Sequence, residues 1–172
     1  MRGEVKYLIF TALCIALGTV LPAFFHMFGI AGNIFLPMHI PVLLCGFICG
    51  WKYGGFCGIV VPFICSAVSG SPVLFPVGVS MALELCTYGV MCGLMYQRFS
   101  VYPSLIAALI GGRIVNGIAN WIFYGMAGSD YGWSAFLSGS LLVAWPGIVI
   151  QLILVPVLVY ALARAGLIKN RA

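Results

Sequence analysis

Charge is what this sequence holds least of. Its 172 residues include three acidic and eight basic side chains, 6% in all, where a soluble domain carries about 25%. With 63% of its residues hydrophobic, no water-soluble fold of this length could hide its apolar surface. The chain is therefore an integral membrane protein. Other absences narrow its chemistry. There is no glycine-rich phosphate loop with a lysine, no HExxH pair and no acidic cluster suited to metal-dependent transfer, so no catalytic or ATP-driven motor emerges from the chain itself. The stretch SGSP at Ser69–Pro72 has serines but no evident base or oxyanion context. Seven cysteines contain no CxxC pair; Cys45 and Cys49 stand one helical turn apart without neighbouring His or acidic ligands. They read as small hydrophobes, and no metal or other cofactor is expected. The net charge of +5 comes without any basic run, which excludes a nucleic-acid partner and leaves the lipid bilayer.

What is present is a series of apolar segments, and a spanning helix needs about 20 such residues. Six qualify, the second of them short: roughly 5–27, 37–50, 53–70, 74–97, 101–125 and 134–163. The first apolar run is too long for a signal-peptide core of about 7–15 residues and reads as a retained helix. The breaks between segments carry Gly, Pro or charge, no linker or internal repeat is evident, and residues 1–172 are expected to form one membrane domain. Six crossings put Arg2, Lys6, Lys52, Arg98, Arg164, Lys169 and Arg171 on one side and Asp130 on the other. The positive-inside bias then makes both termini cytoplasmic, with Trp121 and Trp133 flanking an outer loop. The expected fold is an all-α integral membrane protein, six transmembrane helices in one compact bundle.

The eighth basic residue, Arg113, falls inside an apolar segment. A guanidinium at a helix centre costs roughly 2.5–3.5 kcal/mol on insertion scales, so such a residue marks a functional site by default. Arg113, Asn116, Asn120 and Tyr124 are spaced by 3, 4 and 4, which places them on one helical face that lipid cannot satisfy. On the fourth segment Glu84 is followed one turn later by Tyr88. Glu84 lies roughly 15 Å, and Arg113 about 18 Å, below the outer ends of their helices at 1.5 Å per residue. The two opposite charges can therefore pair. The pair either locks two helices together or orients one wall of a polar pocket open to the outside. The thinning of polar residues toward the inner half, with Gln151 the main exception, favours the pocket. Asn33 suits a turn or a ligand contact, His39 a cap or a ligand contact, and Trp145 packing or a stacking surface. Three pairs of small residues mark close helix contacts: Ala12 with Ala16, Gly54 with Gly58, and Gly89 with Gly93.

The stretches ALCIA, FLPMHIPVLLCGFICGWKYGG, MALELCTYGVMCGLMY, GGRIVNGIANW and PGIVIQLILVPVLVYAL together resemble the substrate-binding (S) components of energy-coupling factor (ECF) vitamin transporters. The resemblance covers essentially the whole chain. It implies a binding subunit and not an enzyme, working with a transmembrane T subunit and two cytoplasmic ATPases in a bacterial plasma membrane. It implies that Ala12 and Ala16 dock on the T subunit. It also implies a vitamin pocket built from Asn33 to His39, Glu84, Arg113, Asn116, Asn120 and Trp145. The branch of the family that handles cobalt or nickel uses a His beside the initiator Met, and Met1-Arg2-Gly3 lacks it. One Arg suits the carboxylate of pantothenate; Trp145, Tyr88 and Tyr124 with amide side chains suit a flat heterocycle such as a benzimidazole-type cobalamin precursor. Two rivals stand beside this expectation: a stand-alone carrier for a small heterocycle such as a queuosine precursor, and a small intramembrane enzyme.

Overall fold

The computed structural model describes residues 2–27, 37–126 and 145–166. Among them the backbone is helical, as it must be where lipid offers no hydrogen bonds. The helices are α1 (Arg2–Met27), α2 (His39–Cys49), α3 (Trp51–Ser69), α4 (Val79–Met95), α5 (Val101–Met126) and α6 (Trp145–Arg164). A wide irregular turn, Leu74–Gly78, leads into α4, with Phe75 in extended geometry. Five segments are long and apolar enough to cross a membrane: α1, α3, Leu74–Met95, α5 and α6.

The second expected span differs. Helix α2 has 11 residues and rises about 16 Å, roughly half of a 30 Å hydrocarbon layer. What ends it is Gly50, whose φ of 87° needs a residue without a β-carbon. Its N–H still closes on the Gly46 carbonyl at 3.1 Å, while its own carbonyl accepts from Gly54 at 2.9 Å to open α3. A single residue thus serves both helices. The described architecture is five spanning-length helices and one shorter apolar helix. The sixth helix is described from Trp145; residues 134–144, Asp130, Trp133 and Asn33 lie outside the described residues.

Helices α2, α3 and α4 meet through backbone. A β-carbon at Gly54 would stand 2.7 Å from both the Gly46 Cα and the Gly89 carbonyl oxygen. One at Gly58 would strike the Leu85 backbone, and one at Gly93 the Trp51 backbone. Gly54 and Gly89 therefore face one another, while Gly58 and Gly93 each face the backbone of the opposite helix, as small-residue spacing in membrane helices implies.

Exposure is distributed as lipid requires and water forbids. Ile106, Ile110, Ile114, Ile118 and Ile122 run down the outside of α5, and Leu13, Leu17 and Val20 down the outside of α1. The buried set includes Glu84, His39, Gln151, Ser80 and Ser104. A soluble domain would bury such isoleucines and expose such carboxylates.

Candidate functional site

Glu84 is the centre of the buried polar cluster. It sits on α4, 1% exposed, and its two oxygens divide their partners. Oε1 accepts the Tyr88 hydroxyl at 2.6 Å and lies 3.3 Å from Nη1 of Arg113. Oε2 accepts the Asn116 side-chain amide at 2.7 Å. Asn116 in turn accepts at Oδ1 from Nδ2 of Asn120. The chain of donors runs Asn120 to Asn116 to Glu84, so the i, i+4 spacing on α5 becomes a relay that ends on α4.

Helix spacing brings Tyr88 to Glu84 from the next turn of α4, and a glycine lets its ring fit. A β-carbon at Gly112 would collide with the Tyr88 ring. Gly112 precedes Arg113, so the residue that admits the tyrosine also fixes where the guanidinium leaves α5.

His39 closes another side. It is fully buried at the first residue of α2, its ring centroid 5.5 Å from that of Tyr88. Its Nε2 is 3.9 Å from Glu84 Oε1, beyond hydrogen-bonding distance. Among the described residues both ring nitrogens are buried without a partner, as are Nε and Nη2 of Arg113.

The balance of donors and acceptors is uneven. A carboxylate has about four lone-pair sites and a guanidinium five N–H donors. Glu84 is nearly saturated, whereas Arg113 engages it through one nitrogen. A buried group left without a partner costs about 1–3 kcal/mol, and more if charged. A structural lock alone would be expected to satisfy both halves of the pair. This cluster satisfies the acid and leaves the base with donors to offer.

The structure thus brings together His39, Glu84, Tyr88, Arg113, Asn116 and Asn120. Tyr124 is half-buried one turn beyond Asn120. Trp145 does not join them: it is 61% exposed at the start of α6. Its expected place followed from depth alone, and depth says nothing about rotation around a helix axis. Gln151 was absent from the expected ligand contacts, yet it is fully buried on α6 with both amide atoms unpartnered. It is the sole amide in a run of apolar residues, a signal of the same kind as Arg113. Helix α6 packs against both α2 and α5.

Ala12 and Ala16 lie exposed on α1. The opposite face of α1 is tied inward: Cys45 Sγ approaches Thr11 Oγ1 at 3.7 Å, Cys49 Sγ the Tyr7 carbonyl at 3.6 Å, and Cys65 Sγ the Gly18 carbonyl at 3.5 Å. Of the three small-residue pairs, the one on α1 is left without an internal partner helix.

A multi-pass helical membrane protein with one hydrogen-bonded ionic cluster buried between its helices is the class that this fold and site define. The chain belongs to the family described as ECF transporter, substrate-specific component, whose model matches residues 6–159. It is a substrate-specific membrane subunit of a transporter. Comparison with curated proteins and with solved structures gives no match.

Proposed function

We propose that this subunit captures a water-soluble vitamin or vitamin precursor from outside a bacterial cell. It then delivers the ligand inward with a T subunit and two cytoplasmic ATPases. The observation that carries the reading is Arg113: a largely buried cation held at one nitrogen by a nearly saturated carboxylate, with two further buried nitrogens unpaired among the described residues. Such a group recognises an acceptor-bearing guest and holds it by charge-assisted hydrogen bonds. Pantothenate and a benzimidazole-type cobalamin precursor are the favoured ligands, contacted by His39, Tyr88, Arg113, Asn116, Asn120 and Tyr124, with Glu84 orienting them and Asn33 in the covering loop.

The basic residues at one set of helix ends support cytoplasmic termini, a plasma-membrane location and a site that opens outward. The whole chain acts as one membrane domain and is not an enzyme; ATP hydrolysis belongs to the partners. The exposed Ala12 and Ala16 support a docking face on α1, because small side chains let a second helix approach closely.

Mild solubilisation and affinity purification, followed by mass spectrometry, tests this. The expected result is one small polar molecule recovered unchanged, together with a T subunit and an ATPase pair. Replacing Ala12 and Ala16 together by Leu should keep the small molecule, lose the coupling subunits and abolish uptake. Transport by the wild type without coupling subunits would favour a stand-alone carrier, and conversion of the molecule would favour an enzyme.

A further inference from the structure

The Glu84 cluster also constrains the charge of its guest, an inference that rests on the binding role proposed above. We infer that the site takes an uncharged polar molecule presenting two adjacent acceptors, such as a ring nitrogen beside a carbonyl, and discriminates against anions and cations alike, which disfavours the pantothenate anion of the two ligands named above.

Among the described residues a cation finds no anchor. Glu84 is the carboxylate of the cluster, it is 1% exposed, and Tyr88, Arg113 and Asn116 already occupy its oxygens. Arg113 beside it repels a second positive charge.

An anion meets the opposite difficulty. The charge of Arg113 is matched by Glu84 at 3.3 Å. The other described basic residues, Arg2, Lys6, Lys52, Arg98 and Arg164, lie at or near helix ends. A carboxylate bound to Arg113 would therefore give the cluster a net negative charge. It would also shed its hydration facing Glu84 across one guanidinium, and a charge taken from water is repaid only by good compensation. The fixed charges of the cluster, Arg113 and Glu84, balance without His39, which stands beyond hydrogen-bonding distance of Glu84. It offers the guest its two ring nitrogens, which have no partner among the described residues.

What remains is directional hydrogen bonding. The two unpaired nitrogens of Arg113, Nε and Nη2, form the side-on edge of the guanidinium, where two N–H bonds point in parallel. Arginine reads the adjacent ring nitrogen and carbonyl of guanine with the same two-pronged geometry. A neutral heterocycle with that edge satisfies both donors and adds no charge.

The test uses the full chain in lipid nanodiscs and probes that differ chiefly in charge. These are pyridine-2-carboxamide, pyridine-2-carboxylate and 2-(aminomethyl)pyridine, with panthenol against pantothenate as a second pair. Titration calorimetry at neutral pH should show the uncharged member binding at least tenfold more tightly than its charged counterparts wherever binding occurs. Glu84→Gln, which leaves Arg113 uncompensated, should shift the preference toward the carboxylate by at least tenfold. An acid or amine that binds wild type as tightly as its neutral partner overturns the inference and leaves the binding role standing. Binding of no probe at all, with an anionic or cationic molecule recovered from the purified protein, also overturns the inference alone. Binding of no probe with nothing recovered retires the binding role and this inference together. If Glu84→Gln does not fold, the wild-type comparison decides.

Discussion

The glycine seam between α2, α3 and α4 and the carboxylate cluster between α2, α4 and α5 are built from opposite materials. In the seam, Gly46, Gly54 and Gly89 approach so closely that not even a methyl group fits. It is complete as it stands. In the cluster, His39 and Arg113 keep buried nitrogens unpaired among the described residues. The seam makes the bundle rigid; the cluster, held between those rigid walls, is left chemically unfinished. The contrast separates residues that hold the fold from residues that the proposed function gives to a guest.

That separation can be broken by substitution. Glu84→Ala should have the largest effect, because it strands Arg113 as a buried unpaired charge. Removing one partner of such a pair costs about 3–5 kcal/mol, so both the thermal midpoint and ligand binding should fall. Gly54→Ala comes next and should act on one side only. Overpacking costs about 1–3 kcal/mol, visible as a lower thermal midpoint, with affinity of the folded fraction changed by less than about twofold. Asn120→Ala removes the outer member of the relay. It should weaken binding about fivefold, near the 1 kcal/mol net value of one hydrogen bond, as read by titration calorimetry. Trp145→Ala should do least, with affinity changed by less than about twofold. A large loss there would return Trp145 to the site and contradict its exposed position.

The cluster was legible in the sequence where helical periodicity applies. The spacing of Arg113, Asn116 and Asn120 gave one face, the Glu84–Tyr88 spacing gave one turn, and depth arithmetic matched Glu84 to Arg113. All three relations are present in the structure. The facing glycines of α3 and α4 were legible for the same reason. The second segment, 37–50, was legible as a short one, and the structure trims it further to His39–Cys49. Only the left-handed backbone at Gly50 shows where the chain reverses. The orientation of Trp145 and Gln151 was not legible, for a shared reason. Helix α6 is apolar nearly all round, so its sequence carries no stripe to say which residues face inward. A polar stripe orients α5; α6 has one amide and nothing to compare it with.

The central claim is that Arg113 offers its unpaired edge to the ligand. Arg113→Ala in a folded, monodisperse preparation tests it most directly, with affinity for the co-purified small molecule measured beside wild type. The account predicts a loss of at least about a hundredfold, equivalent to about 2.7 kcal/mol. Equal affinity in the two proteins would show that the guanidinium serves only to join α4 to α5.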